Sequence, residues 1–197
     1  MLSILFILLV VSISSYGYSS PYPLYACASV HLDSSSTKIG TLYFIQISAK
    51  SPVIIRGILT GLVPNQTYHG FHVHESRVDD NKPNCTAAGA HFNPFNRTHG
   101  ALVSPKKQRH VGDLGNVYAD HDGNARILIE DKIIQLGKGS RSIIDRTIII
   151  HKDIDDLGMG GHSDSSTTGH AGARLGCGRI RMRPWMTLRD VLETFLS

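Results

Sequence analysis

Apolar and polar positions alternate in short runs over most of the chain beyond residue 24, and Gly, Pro, Asn and Asp separate the runs. Successive side chains of a β-strand point to opposite faces, so this alternation predicts strands with turns between them. The pattern indicates an all-β domain, either a sandwich or a barrel. The predicted strands cover residues 25–33, 40–48, 53–62, 70–74, 115–120, 125–131, 143–151 and 173–180.

Two long segments, residues 75–111 and 152–172, lack the strand pattern. Connections of this length without regular structure are uncommon in a compact domain unless they are functional or are held by a metal ion or a disulfide. We therefore expect the functional residues to lie in or beside these two loops.

The beginning of the chain has a different composition. Residues 4–13 form a short apolar run, and the first charged side chain is Asp33. This pattern predicts a secretory signal peptide over residues 1–17, followed by a linker over 18–24, and hence a secreted, extracellular protein. An uncleaved membrane anchor is the alternative, but the run is shorter than the roughly 20 apolar residues of a membrane span, so no transmembrane segment is predicted.

Length and charge narrow the function only slightly. The chain has 197 residues, which fits one domain with a sizeable core, and its net charge is +4. The basic residues are scattered, so a nucleic-acid partner is not predicted. Arg179, Arg181 and Arg183 give at most a weak contact with a polyanion.

The three cysteines allow one disulfide. Cys27 lies in an apolar predicted strand, where a small buried thiol is expected. That leaves Cys85 to pair with Cys177, and export would permit the bond. Asn65, Asn84 and Asn96 each begin a glycosylation sequon, and Asn84 is expected to be the least accessible because it adjoins Cys85.

His72 and His74 are two residues apart in a predicted strand, so both side chains project from one face, where they could bind a metal ion. Alone, such a pair fits two surface histidines about as well as a metal site. Residues further along the chain favour the metal site.

His91, His99, His110 and Asp113 follow in the first long loop, and three imidazoles with one carboxylate can complete the shell of a tetrahedral zinc ion. His151 ends a very apolar strand, where an unpaired polar ring would be costly to bury. Together with His91 and the pair in the earlier strand, it would complete a four-imidazole site of the kind that copper accepts.

With these residues identified, the chain resembles the copper/zinc superoxide dismutases over about residues 25–180. The matching motifs are residues 70–75 (GFHVHE), 88–94 (AGAHFNP), 110–116 (HVGDLGN), 155–158 (DDLG) and 169–178 (GHAGARLGCG). The resemblance implies an eight-stranded Greek-key barrel, an immunoglobulin-like sandwich with long metal-binding and electrostatic loops. It places this domain at residues 25–182.

The resemblance also implies a role for each site residue. Two of them are implied to be catalytic: His91, which would join the two metals and carry a proton, and Arg174, which would dock the anion. Asp155 would orient one ligand histidine of each metal, and His69 would be a buried framework residue. The implied copper ligands are His72, His74, His91 and His151, and the implied zinc ligands are His91, His99, His110 and Asp113.

The implied activity is disproportionation of superoxide to dioxygen and hydrogen peroxide, by alternate reduction and reoxidation of copper. A non-catalytic copper-binding or copper-delivery module on the same fold is the alternative. Such modules commonly lack a copper ligand or the channel arginine, whereas this chain has both His151 and Arg174. The enzyme is therefore the preferred interpretation.

Two features at the end of the domain depart from the family pattern. The resemblance implies a homodimer, but charged or altered side chains replace its apolar patch, and an unpaired charge at such an interface is costly. A homodimer with an altered interface is therefore expected; the altered residues are Asp145, Arg179, Arg181 and Met182. Residues 183–197 form a tail beyond the resemblance. In it, Thr187 and Asp190 resemble a capping box and precede apolar residues at helical spacing, so an amphipathic helix is predicted.

Overall fold

The structure, a computed structural model, describes residues 22–64, 68–187 and 189–190. Within them, regular structure is almost entirely β, as predicted. The strands are β1 Leu24–Leu32, β2 Lys38–Gln46, β3 Val53–Leu59, β4 Tyr68–His74, β5 Asp113–Tyr118, β6 Ala125–Asp131, β7 Thr147–His151, β8 Arg174–Arg179 and β9 Arg181–Met182.

The strands pair in the order β5-β4-β7-β8-β1-β2-β3-β6, and every pair is antiparallel. Neighbours such as β4 and β7 or β3 and β6 are far apart in the chain, which is the crossover connectivity of a Greek key. The end strands β5 and β6 approach each other and nearly close the barrel. The two-residue strand β9 lies off this path and pairs with β1. The predicted eight-stranded barrel is confirmed.

Alternate residues of β1, β2 and β3 fill the barrel, among them Ala28, Leu42, Phe44 and Ile55. By contrast, every residue of β7 is buried, and so is every residue of β4 after the first. One face of these two strands contributes to the barrel core, and the long loops cover the other. The side chains on that outer face are therefore removed from water without belonging to the core.

The strand predicted at residues 143–151 was too long at its start. Asp145 has φ 64° and Arg146 N–H donates to the Ile143 carbonyl at 3.2 Å, so residues 143–146 form a turn before β7 begins at Thr147. A left-handed residue cannot continue a strand. The apolar pair Ile143 and Ile144 has strand-like composition, so composition alone did not separate turn from strand.

The Cys85–Cys177 disulfide is present, and Cys27 is a buried free thiol, as predicted. The bond joins residues 92 positions apart and ties the first long loop to β8. On the chain-entropy argument, closing a loop of this length contributes about 4.6 kcal/mol to stability. The two long loops contain only two 3₁₀ turns, Cys85–Ala88 and Lys106–Gln108, and the short helix α1, Ser165–Thr168.

Two of the three sequons can be located. Asn96 and Asn84 are both exposed, so proximity to the buried Cys85 does not bury Asn84. Its side-chain oxygen accepts a hydrogen bond from Thr86 N–H at 3.0 Å, so Asn84 caps the turn that contains the buried Cys85. Asn65, the predicted signal peptide (1–17), most of the predicted linker (18–24) and nearly all of the tail helix lie outside the described residues. No helix within the described part of the chain is both long and apolar enough to span a bilayer.

Candidate metal centre

The candidate site lies on the outer face of β4 and β7, beneath the two long loops. Phe71 and Val73 point into the barrel core, so the alternating residues His72 and His74 point outward. His151 ends the neighbouring strand, and His91 pairs with His74 across an isolated β-bridge. All four histidines are buried, although they lie outside the barrel core.

Ligand atoms of His72, His74, His91 and His151 lie within 4.8 Å of one another, so these four imidazoles could hold one metal ion. The Nε2 atoms of His74 and His151 are 3.3 Å apart. The ring centroids of His72 and His91 are 4.1 Å apart. The structure therefore brings together the four residues that the resemblance assigned to copper.

In three of these histidines, one ring nitrogen has a hydrogen-bond acceptor beside it. His72 Nε2 is 2.9 Å from Asp155 Oδ2, His74 Nδ1 is 2.9 Å from the Gly89 carbonyl, and His151 Nδ1 is 3.2 Å from the Gly172 carbonyl. Each of these nitrogens donates, because its partner is an acceptor. In a neutral imidazole the opposite nitrogen is then unprotonated, which is the form that binds a metal.

A second cluster surrounds the carboxylate of Asp113. The Nδ1 atoms of His91, His99 and His110 lie 2.9, 3.0 and 3.1 Å from Asp113 Oδ1. The other carboxylate oxygen accepts hydrogen bonds from Gly100 N–H at 3.1 Å and His110 N–H at 2.9 Å. Three nitrogens and one oxygen thus converge, which is the donor set of a tetrahedral zinc site.

His91 belongs to both clusters. Its Nδ1 atom faces Asp113, whereas its Nε2 atom is buried without a hydrogen-bond partner. An orphan nitrogen in a buried ring is costly unless something occupies it. The Nδ1 atom of His72 is buried and unpartnered in the same way. The residues present therefore fit two bound metal ions.

Asp155 connects the two clusters, because its carboxylate accepts a hydrogen bond from one ring of each. Its Oδ2 atom accepts from His72 Nε2 at 2.9 Å, and its Oδ1 atom accepts from His99 Nε2 at 2.7 Å. Asn116 fixes the Asp155 backbone: its Oδ1 atom accepts from Asp155 N–H at 2.7 Å, and its Nδ2 group donates to the Asp155 carbonyl at 2.8 Å. One carboxylate therefore orients a ring of each cluster.

The electrostatics of the four-histidine cluster favour neutral imidazoles. Burial, reinforced by repulsion from His91 and His151, holds the pKa of His72 and of His74 well below the ordinary value. Burial and then the charge of His91 lower the pKa of His151 to about 3. Burial also lowers the pKa of His91. Because metals bind the unprotonated ring, this cluster is in its ligand form at neutral pH.

In the cluster around Asp113, hydrogen bonds outweigh the effect of burial and favour the charged forms of Asp113 and His99. Burial alone would raise the pKa of Asp113, but hydrogen bonds from His110, His91 and His99 outweigh it and hold that pKa far below its usual range. For His99, burial alone would lower the pKa, because burial disfavours the charged imidazolium. Its hydrogen bonds to Asp113 and Asp155 reverse that effect and raise the pKa to about 9. A metal bound here would displace the proton between His99 Nδ1 and the carboxylate.

Arg174 stands beside the four-histidine cluster. Its guanidinium donates to the Cys85 carbonyl at 2.6 Å and to the Gly89 carbonyl at 2.6 Å. Both acceptors are neutral, so its positive charge remains available in a cleft of about 350 Å³. Other residues lining that cleft are His74, His91, His151, Asp164, Thr167, Thr168 and Gly172.

Residues 38–180 match the family model of copper/zinc superoxide dismutase. The chain belongs to the copper/zinc superoxide dismutase family. Members of this family bind one copper and one zinc ion, and the two clusters described above can hold them. The nearly closed antiparallel barrel agrees with the family fold.

Sequence reasoning overlooked two contributors to the site. The Gly89 carbonyl accepts from both His74 Nδ1 and Arg174, so one backbone oxygen positions a ring and the guanidinium. Arg109 is fully buried and donates to the Asp113 carbonyl and to Asp131. A backbone acceptor leaves no mark in the sequence, although a lone arginine before the HVGD motif could have been noted. His69 joins neither cluster, and its Nδ1 atom lies 2.8 Å from the His151 carbonyl.

The position of Asp155 yields a prediction. Replacing it with Asn keeps the shape but removes the charge that both rings donate to, so we expect copper and zinc affinities to fall by about 10- to 100-fold each. Competition titration with a chromophoric chelator would measure both constants. Glu130→Gln, at an exposed carboxylate outside both clusters, is the matched control and should change neither. Unaltered affinities in Asp155→Asn would show that the carboxylate does not orient the ligands.

Proposed function

We propose that this protein is an extracellular superoxide dismutase that converts two superoxide ions and two protons to dioxygen and hydrogen peroxide. One observation carries the proposal: two metal-binding clusters share His91 beside a cleft that contains the free charge of Arg174. Membership of the family supports the same activity.

We assign copper to His72, His74, His91 and His151, and zinc to His91, His99, His110 and Asp113. Four neutral imidazoles suit copper, and three imidazoles with a carboxylate suit zinc. Bound copper would supply the one-electron redox couple of the reaction, whereas zinc is redox-inert and would fix the first loop through His99, His110 and Asp113. Asp155 fixes the orientation of His72 and His99.

Two residues of the chain act on the substrate. The Arg174 guanidinium stays charged at every working pH, so it attracts superoxide into the cleft and docks it. His91 Nε2, the ring nitrogen without a protein partner, would take up a proton from solvent whenever it is not bound to copper and would pass that proton to the departing peroxide. The second proton of hydrogen peroxide would come from water in the cleft. The carbonyls of Cys85 and Gly89 keep the guanidinium turned towards the cleft.

The alternative function is non-catalytic copper binding or delivery on the same fold. That role needs neither a docking group for an anion nor a fourth histidine. Both His151 and Arg174 line the cleft, which favours the enzyme.

Superoxide turnover distinguishes the two functions. The mature protein loaded with copper and zinc should consume superoxide rapidly in a pulse-radiolysis assay. His151→Ala removes one of four imidazoles and should reduce the rate at least about 100-fold. His121→Ala, at an exposed histidine, is the control and should keep full activity. Equal activity in the wild type and His151→Ala would contradict the enzyme assignment.

Secretion is the second part of the proposal. The apolar run at residues 4–13 and the disulfide between Cys85 and Cys177 both support export. Asn84 and Asn96 are exposed and accessible to glycan transfer.

Expression of the full chain in eukaryotic cells tests secretion. We expect protein in the medium that begins near residue 18 and loses mass on glycosidase treatment, as measured by intact mass spectrometry. Deleting residues 2–17 is the control and should keep the protein inside the cell. A full-length product retained in the cell would overturn the extracellular assignment.

The altered patch at Asp145 is compatible with the homodimer that we propose. Arg179 Nη2 lies 2.7 Å from Asp145 Oδ1, so the two unusual charges pair within one chain. A paired charge costs less at an interface than an isolated one. Beside this ion pair lies an apolar cleft of about 710 Å³, and the residues that line it include Leu24, Leu136, Ile144 and Met182.

The proposed contact with a polyanion is weak, because two of the three arginines that would make it are paired with carboxylates of the same chain. Arg179 is paired with Asp145, and Arg181 is paired with Asp80. Arg183 directs its Nε atom to Cys27 Sγ at 2.9 Å. Of the three arginines, Arg183 alone has no carboxylate as its partner, so a single charge is left to attract a sulfated or phosphorylated chain.

Sedimentation velocity tests the dimer. We expect the mature protein to sediment as a dimer at micromolar concentration. Ile144→Asp places a charge in the apolar cleft and should shift the protein to a monomer. Ile154→Asp, at an exposed residue elsewhere, should not. A monomer at all concentrations would refute the altered dimer.

A further inference from the structure

The cleft beside the four-histidine cluster is lined by one side chain that attracts anions and one that repels them. Among the described residues that line it, Arg174 is the one guanidinium and Asp164 the one carboxylate. Superoxide carries a negative charge, so its approach depends on the balance between these two groups. Any group that neutralises Asp164 would leave the charge of Arg174 unopposed.

Asp164 is bonded to the segment that follows it. It comes directly before α1, but its side chain does not cap that helix. Its Oδ1 atom instead accepts a hydrogen bond from His170 Nδ1 at 2.8 Å, and its Oδ2 atom accepts one from the Thr168 hydroxyl at 3.3 Å. The bond from His170 is the main cause that lowers the pKa of Asp164. The carboxylate is therefore charged at neutral pH.

The backbone after α1 brings His170 back to Asp164. Gly169, with φ 67°, and His170, with φ 51°, are both in the left-handed region, so the chain reverses at the end of the helix. Asparagine adopts this conformation at least as readily as histidine does. His170 can therefore be replaced by asparagine without a change in the backbone.

The charge of His170 can change with pH. Its side chain is 52% exposed, so the ring exchanges protons with solvent. Nδ1 faces a carboxylate oxygen and carries a proton in both charge states, and the second proton binds at Nε2. The ring of His162 stacks on that of His170, with centroids 3.7 Å apart and planes 10° apart. Two charged rings would repel at that distance, and His170 is the one beside a carboxylate.

We propose that His170 acts through Asp164 as a positioning residue for superoxide: its protonated ring neutralises Asp164, and Arg174 then attracts the anion unopposed. This inference rests on the proposed dismutase activity and identifies a residue that sets how fast the substrate arrives. Imidazoles titrate near neutral pH. As the pH rises, His170 loses its charge, Asp164 repels superoxide and capture becomes slower.

The other charged groups around this segment do not account for such a change. Carboxylates, ammonium groups and guanidinium groups keep their charges near neutral pH. The rings of the four-histidine cluster are held neutral by burial. The charged groups are Lys152 and Asp153 after β7, Asp156, whose carboxylate accepts from the Ser165 hydroxyl at 2.5 Å, and Arg174 at the start of β8.

The pH profile of superoxide capture tests the proposal in the mature, metal-loaded protein. A unit charge about 10 Å from an anion in water changes its capture about 2-fold, so the wild-type second-order rate constant should fall about 2-fold between about pH 6 and pH 8 at low ionic strength. His170→Asn keeps an amide that can donate to Asp164 but cannot become charged. Its rate constant should stay at the high-pH value of the wild type throughout.

Two further variants separate the charge from other effects. Asp164→Asn removes the repelling charge and should give the faster rate at every pH. His121→Asn is the matched control, because His121 pairs with Asp122 at 3.3 Å in the turn between β5 and β6, away from the cleft. It should keep the wild-type profile. Copper and zinc contents, measured on the same samples, should not differ among the variants.

Two readouts do not depend on turnover. Azide is an anion that binds copper, and its affinity, measured by optical titration, should fall about 2-fold over the same pH range in the wild type and stay constant in His170→Asn. In NMR spectra of the reduced, metal-loaded protein, the His170 ring and Asp164 carboxyl signals should move in one shared transition.

A pH profile in His170→Asn that matches the wild type would overturn the proposal. So would separate NMR transitions for His170 and Asp164. A protein that does not turn over superoxide, yet binds azide with the pH dependence described, would overturn the proposed function while supporting the role of His170.

Discussion

The structure depends on one constraint: polar rings on the outer face of β4 and β7 must be buried and still have partners. His72, His74 and His151 point away from the barrel core yet are almost inaccessible to water. Burying an imidazole without hydrogen bonds is costly, so the loops above must supply acceptors and further donors. The two long loops are therefore part of the site and not merely connections.

Several links hold those loops in place, and they meet at the site. Asp155, in the second loop, contacts a ring from β4 and a ring from the first loop. The Cys85–Cys177 disulfide ties the first loop to β8, and Arg174 at the start of β8 donates to carbonyls on that same loop. Metal binding, loop order and the position of the docking arginine are consequently coupled.

Much of this arrangement could be predicted from the sequence. The alternation of apolar positions predicted the strands, and the His-x-His pair in a strand predicted a shared face. The bounds of β7 could not be predicted, because Asp145 adopts a left-handed conformation that residue type alone does not require. The pairing of Asp145 with Arg179 and the double use of the Gly89 carbonyl also escaped sequence reasoning, since both depend on residues brought together only by the fold.

His91 is the centre of the site, because its two ring nitrogens serve different clusters. Anomalous diffraction from crystals of the metal-loaded protein, collected on both sides of the copper and zinc absorption edges, would test this most directly. We predict a copper signal within the four-histidine cluster and a zinc signal beside Asp113, one at each nitrogen of His91. A single metal ion, or two ions that do not share His91, would contradict the account.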